Sequence, residues 1–234
     1  MAIPYFYMDW VEKGATVIFL EEDTSRHIVQ VLRMEAGEML SLTDGLGNLH
    51  TAEIVQVHKK STGVKILSSA YHARLSPKIS IAISLIKNVA RFEWFLEKAT
   101  EIGVSEIIPL ICERTEKHHF RLDRMKGILV SAMLQSQQYW LPVLSNPVIL
   151  SANIDSFDYP QKFIAYCDET GKHAISELYQ KQTGVLILIG PEGDFTKKEI
   201  GLAMAHHFVP VTLGDTRLRT ETAGIVAATL LRHS

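Results

Sequence analysis

Two short segments near the C-terminus hold the residue types that could do chemistry. They are Leu188-Ile189-Gly190-Pro191-Glu192-Gly193-Asp194-Phe195 and Leu213-Gly214-Asp215-Thr216-Arg217-Leu218-Arg219-Thr220-Glu221-Thr222-Ala223-Gly224. Each follows an apolar strand-like run, and each opens a helix-like pattern. In the first, the glycines let a ligand approach the backbone closely, Pro191 stiffens the loop, and Glu192 could accept hydrogen bonds from a ribose or a base. In the second, Thr220 or Thr222 could cap the last helix, with Glu221 complementing the positive end of its dipole. Arg219 would face an anion or hold the loop. The plain alternatives are a tight strand-to-helix turn and a well-capped helix. Neither segment is a GxGxxG dinucleotide motif or a Walker loop. Two strand–loop–helix turns so close in sequence imply one shared site for a polar cofactor.

The elements that must position these loops fall into two groups. Residues 1–72 read as mostly β, with short alternating runs at Tyr5–Met8, Thr16–Leu20, Met39–Thr43, Leu49–Val57 and Val64–Ser68. Asp44-Gly45-Leu46-Gly47-Asn48 is a tight-turn signal. One helix interrupts them, capped by Asp23 or Thr24, with Ile28, Val31 and Leu32 as its apolar stripe. Such short strands around one helix predict a small barrel. Ser76-Pro77 marks a boundary, and residues 73–234 alternate strand and helix. Strands are expected at Ile79–Ile86, Glu106–Cys112, Phe163–Cys167, Val185–Ile189 and Val209–Leu213. Helices are expected at Val89–Ile102, with Gly103 as its C-cap, and at Leu122–Gln138. Two more follow, Thr196–His207, opened by a Thr196/Glu199 capping box, and Glu221–Arg232. This alternation implies an α/β domain with a parallel sheet covered on both faces.

Bulk composition narrows the class. Hydrophobic residues make up 47% and charged residues 21% of the 234, as in a soluble globular protein. No apolar run is long enough to span a bilayer and no basic-then-apolar leader is visible, so no membrane role is expected and the cytoplasm is the expected location. Cys112 and Cys167 sit in apolar runs without a CxxC pattern, which predicts buried, reduced thiols. His118-His119 and His206-His207 lack nearby Cys or carboxylates at ligand spacing, so no metal is expected. Tyr139-Trp140, between a helix and Pro142, reads as packing, with stacking on a base as the alternative. The net charge is −2, yet residues 73–145 hold 10 Lys and Arg against 7 Asp and Glu, while both flanking thirds are acidic. That distribution is compatible with a local phosphate-binding surface.

The residues match a known family pattern. The pairing of Ile189-Gly190-Pro191-Glu192-Gly193-Asp194-Phe195 with Leu218-Arg219-Thr220-Glu221-Thr222-Ala223 resembles RsmE-type 16S rRNA uridine-N3 methyltransferases of the SPOUT (α/β-knot) superfamily. Weaker matches run upstream, at His27 with Val31-Leu32-Arg33, at Lys98 to Val104, and at Ala132 to Ser136. Two positions depart from the pattern. Asp194 stands where a second Gly is common, and Gln137-Gln138 stand where an Arg is common.

The resemblance implies a PUA-like β-barrel RNA-binding domain over residues 1–72 and a SPOUT trefoil-knot methyltransferase domain over 73–234. A threaded chain is not something periodicity or spacing predicts. The resemblance further implies S-adenosylmethionine as cofactor, in a pocket of Ile189, Gly190, Pro191, Glu192, Gly193, Leu213, Gly214, Leu218, Thr220, Thr222 and Ala223. The implied partners are 16S rRNA in the small ribosomal subunit and a second copy of the chain, joined through the knot region. The implied reaction methylates N3 of a uridine in the decoding region. Uridine N3 carries a proton and is a poor nucleophile until that proton leaves. Arg219 is therefore expected to stabilise the anionic uracil or orient a phosphate, and Glu221 to position cofactor or base. RNA contacts are expected from Arg26, His27 and Arg33 in the barrel, and from Lys87, Arg91, Lys98 and Arg114 in the second domain. Each of these could also be an ordinary surface charge. The competing readings are another RNA target on the same fold, a non-catalytic RNA-binding assembly factor, and a small-molecule α/β enzyme that would leave the barrel unexplained.

Overall fold

The computed structural model describes residues 3–9, 16–167 and 172–233. They form two compact units. One comprises residues 1–74 with 133–141, and the other residues 75–132 with 142–234. The expected division after residue 72 does not include the return of 133–141 to the first unit.

In the first unit a curled five-stranded sheet is built from β1 (Tyr5–Tyr7), β2 (Val17–Phe19), β3 (Met39–Thr43), β4 (Asn48–Gln56) and β5 (Gly63–Tyr71), in the order β1-β3-β4-β5-β2. Only the β1–β3 pairing is parallel. Alternate strand residues fill the inside, among them Leu40, Leu42, Ala52, Ile54 and Val64, joined by Leu20 and Ile28. The Asp44–Asn48 turn forms as expected. The Asp44 carboxylate accepts from the Leu46 and Asn48 amides at 2.8 and 3.2 Å. Gly47 has φ +94°, and a Cβ there would meet the His72 carbonyl and the Trp140 ring at 2.7 Å. Residues 137–141 close on this turn: the Leu141 amide donates to Gly45 O at 2.8 Å, and the Gly47 amide to Tyr139 O at 2.9 Å. Tyr139 stacks on His72 at 3.8 Å and Trp140 Nε1 donates to His72 O at 2.8 Å, so both aromatics pack within the unit.

The barrel helix departs from expectation. α1 (Glu22–Arg26) has Glu21 at its N-cap, without a side-chain capping bond. It then widens into a π-helix over His27–Leu32, ended by Arg33 at φ +54°. Wider turns rotate the side chains away from the 3.6-residue stripe. Ile28 is buried, but Val31 and Leu32 are 64% and 41% exposed.

The second unit holds an eight-stranded sheet. Its strands are β6 (Ile79–Ser84), β7 (Glu106–Ile111), β8 (Val143–Leu144), β9 (Val148–Ile149), β10 (Gln161–Ala165), β11 (His173–Ala174), β12 (Val185–Ile189) and β13 (Val209–Thr212). The order is β11-β13-β10-β12-β6-β7-β8, with β9 also on β7, and every pairing is parallel. β6 and β12 are buried along their whole length, as strands covered on both faces must be. The helices are α2 (Val89–Ile102), α3 (Leu122–Gln135), α4 (Leu150–Asn153), α5 (Ile175–Leu178), α6 (Lys197–Ala205) and α7 (Thr220–His233). α2 is capped by Asn88 and ends on Gly103 at φ +90°. α6 opens with the expected capping box of Thr196 and Glu199. α3 stops at Gln135, short of the expected Gln138, because Gln137 turns to φ +53°. α7 rests on α2, with Gly224 against Phe95 and Ile83. The fold is the expected α/β class with a parallel sheet, preceded by a small PUA-like barrel. Among the described residues no helix is long and apolar enough to cross a membrane.

Candidate active site

The C-terminal ends of β10, β12 and β13 lie side by side, since Ala165 registers with Ile189 on one side and Val211 on the other. In parallel sheets this edge is where loops can converge on a ligand. Here a cavity of about 830 Å³ opens between the loop after β12, the loop after β13 and the first turn of α7. Its size is that of a site for a small ligand.

The two loops are fastened together. Thr220 Oγ1 donates to Gly190 O at 3.0 Å in a buried bond. That hydroxyl bridges the loops rather than capping α7. A Cβ on Gly190 would sit 3.1 Å from two Phe195 ring carbons. Gly214 has φ +137°, so its backbone conformation, not crowding, calls for glycine. Glu192 Oε1 accepts from the Lys87 amide at 3.0 Å, which ties this loop to the end of β6. Asp194 adopts φ +63°, and its carboxylate accepts from the Cys167 and Phe195 amides, each at 2.8 Å. The side chain thus pins the β12 loop to the end of β10.

Of the residues expected at a cofactor, Ile189, Gly190, Pro191, Glu192, Leu213, Gly214, Leu218, Thr220 and Ala223 line the cavity. Gly193 and Thr222 do not line it. Gly193 O instead accepts from Arg114 Nη1 at 2.6 Å. Arg219 is exposed on the cavity wall. Glu221 is 6% exposed and stands outside the lining, between Thr220 and Ala223. Its Oε1 lies 3.6 Å from Arg91 Nη1, and its Oε2 is buried without a hydrogen-bond partner among the described residues.

Tyr166, Cys167, Lys172, Asp194, Asp215, Thr216 and Arg217 also line the cavity, although the sequence motifs do not single them out for it. Lys172 lies 3.5 Å from the Tyr166 ring centroid and donates to Tyr166 O at 2.5 Å. Cys167 is exposed, contrary to the expected burial, because β10 ends at Ala165 and leaves the thiol in the loop beyond. Partial desolvation pushes that thiol up, the Asp194 carboxylate adds to the shift, and Arg217 and Lys172 oppose it. It is therefore a neutral wall group, not a thiolate nucleophile. Cys112 is buried as expected, its thiol pushed up to about 12 by desolvation and then by Glu199.

The side chains expected to contact RNA are spread over both units and most are engaged. Arg26 pairs with Glu22, and His27 sits edge-on to Phe6. Lys87 pairs with Glu116 at 2.7 Å, and Lys98 with Glu97 at 2.7 Å and Glu101 at 2.9 Å. These hydrogen bonds raise both lysines above the ordinary ammonium value. His118 Nε2 lies 3.0 Å from Thr115 O, and His206 pairs with Asp155 at 3.0 Å.

The cavity suits a ligand with both apolar and polar parts. Ile189, Val211, Leu213, Leu218 and Ala223 give it apolar wall, and the glycines leave backbone within reach of the ligand. The unpartnered Glu221 oxygen beside it is the kind of buried group that a bound molecule or water satisfies.

Known proteins carry the same architecture. The family model described as RNA methyltransferase domain matches residues 74–232, and that described as RNA methyltransferase PUA domain matches residues 20–67. The crystal structure of a probable rRNA-methyltransferase from Porphyromonas gingivalis is 38% identical, with a TM-score of 0.90, covering 97% of this chain and 95% of that one. Ribosomal RNA small subunit methyltransferase E from Neisseria gonorrhoeae, crystallised bound to S-adenosyl methionine, is 28% identical with a TM-score of 0.86, covering 97% and 95%. Ribosomal RNA small subunit methyltransferase E of Buchnera aphidicola subsp. Schizaphis graminum is 28% identical over 242 residues, which span 98% of this chain and 96% of that protein.

Proposed function

The chain belongs to the RNA methyltransferase family, as a small-subunit rRNA methyltransferase of the RsmE type, and from that premise we propose that it methylates N3 of one uridine in the decoding region of 16S rRNA. The coarser activity is S-adenosylmethionine-dependent methylation of small-subunit rRNA. When bound, the cofactor supplies an electrophilic methyl group on a sulfonium. This chain's residues must hold that cofactor, exclude water and make the uridine nucleophilic.

The loops after β12 and β13 would hold it, with Gly190, Leu213, Gly214, Leu218 and Ala223 as wall and the Thr220–Gly190 bond keeping the loops at fixed spacing. In-line transfer depends on such positioning. The nucleophile is the difficult part, because N3 must lose its proton before it can attack. The observation that carries the uridine reading is Arg219, a guanidinium on the cavity wall in the residue before α7. There it can stabilise a negative uracil, aided by the positive end of the helix. Glu221 acts behind it as a positioning residue, through its ion pair with Arg91. The barrel supplies further RNA contact, and the target in the small subunit implies work in the cytoplasm. Association of two copies through the knot region belongs to the same reading, and the native mass in solution tests it.

The deciding experiment transfers tritium from labelled S-adenosylmethionine to small ribosomal subunits that lack the modification, with the product nucleoside identified by mass spectrometry. We expect 3-methyluridine in 16S rRNA. Label in another nucleoside, or in another RNA, would overturn the N3 assignment while leaving the family intact.

A further inference from the structure

Arg219 has a neighbour that the motifs leave unassigned. Arg217 also lines the cavity and is also exposed, while Leu218 between them is half-buried. Residues 217–219 are neither helix nor turn. Both guanidinium groups are thus exposed on the loop that borders the cavity. Among the described residues neither side chain donates a hydrogen bond or forms an ion pair.

The acidic residues on the cavity wall are otherwise placed. Asp194 is engaged with two backbone amides, Glu192 with the Lys87 amide, and Asp215 makes no ion pair among the described residues. Elsewhere on this unit Lys78, Lys87, Arg91, Lys98, Arg124 and Lys198 each pair with a carboxylate. Two guanidinium groups without an ion pair among the described residues, beside the N-terminus of a 14-residue helix, make an anion-seeking spot. Two residues of chain reach at most about 7 Å, the scale of one nucleotide.

We propose that Arg217 binds the phosphate of the target nucleotide while Arg219 faces its base, so that this loop carries a phosphate subsite at the cavity mouth. The proposal rests on the RNA methyltransferase reading above. The exposed position favours the RNA phosphate over the other anion within reach, the carboxylate of the cofactor. A planar fork of donors gripping a phosphate oxygen pair is chemistry that lysine reproduces in charge but not in geometry.

The test measures binding of full-length protein to unmodified small subunits across a salt series, with cofactor affinity measured separately without RNA. For Arg217→Ala, binding should weaken about tenfold at 0.1 M salt. The slope of log affinity against log salt should become shallower by about 0.7 to 0.9, one phosphate's worth of released counterions. Arg217→Lys should keep the slope and lose part of the affinity, which a merely structural role for the side chain would not do. An unchanged slope in Arg217→Ala overturns the proposal. So does a loss that appears in cofactor affinity instead, which would assign the anion to the cofactor carboxylate. Wild-type protein that neither binds nor methylates small subunits would sink the underlying reading as well, and that outcome is distinct from a failure confined to the variants.

Discussion

Glu221 keeps one buried carboxylate oxygen without a hydrogen-bond partner among the described residues and the other 3.6 Å from Arg91, a distance for charge attraction rather than a good hydrogen bond. A group in that position is held mainly by its charge, so removing the charge should matter more than removing the shape. Glu221→Gln is expected to lower turnover about tenfold, with Arg91→Ala doing much of the same. The double variant should then be less impaired than two independent losses predict, by a coupling of about 1 kcal/mol. Strict additivity in such a cycle would mean that Arg91 and Glu221 act separately. Arg219→Ala should cost more, about a hundredfold in kcat, as loss of a donor to a developing anion does. Wild-type turnover would remove Arg219 from the chemistry. Type and neighbourhood of both residues are legible in the sequence, but the buried orientation of Glu221 is not, because it depends on α2 supplying Arg91 from more than a hundred residues upstream. Asp194 is a similar case. It takes the left-handed conformation that glycine favours, and it uses its carboxylate to join two loops that no local pattern connects.

Among the elements, those with a strong local signal are where the sequence puts them. The capping box fixes the start of α6 and Gly103 the end of α2. The two-residue strands β8, β9 and β11 carry no periodicity to read, and exist because β7 and β13 offer them backbone partners. The π-helical stretch after α1 hides behind an apparently ordinary apolar stripe. The pairing of α7 with α2 turns on Gly224, where an added Cβ would lie 2.6 Å from Phe95 Cε2 and 3.0 Å from Ile83 Cδ1. Alanine improves helix propensity by about 1 kcal/mol over glycine. Overpacking against a fully buried Phe95 costs about 1 to 3 kcal/mol. The second effect should win, so Gly224→Ala should be less stable by about 1 kcal/mol in urea unfolding, with weaker cofactor binding as α7 is pushed from the loops. A variant more stable than wild type would show that Phe95 yields.

At the scale of the whole molecule, the parallel sheet of the second unit separates ligand binding from stability. Its C-terminal edge carries the cavity, while its N-terminal edge carries a cluster around Glu106, the first residue of β7. Glu106 Oε2 receives Lys78 Nζ at 2.7 Å, Ser80 Oγ at 2.8 Å and the Tyr159 hydroxyl at 2.5 Å. Burial alone would raise this carboxyl, but the bonds from Lys78, Tyr159 and Ser80 outweigh it and hold it below the usual carboxylate range. Burial and the bond to Glu106 push the Tyr159 hydroxyl the other way, so it remains a donor. A carboxyl lowered by folding stabilises the fold above its unfolded value, and that contribution disappears as pH falls through the folded value. Knotting is not legible at all from periodicity and rests on the family pattern, but this acid dependence follows from three side chains that the register of β6 and β7 and the approach to β10 bring together. Glu106→Gln should cost about 1 to 2 kcal/mol at pH 7, less than full loss because the amide still accepts a hydrogen bond. The gap to wild type should close as pH falls through the lowered value of the folded carboxyl. Cofactor affinity at pH 7 should follow the wild type, since the cluster lies at the far edge of the sheet. A stability gap that persists unchanged into acid would show that packing at this edge, not the ionised carboxylate, is what the substitution removes.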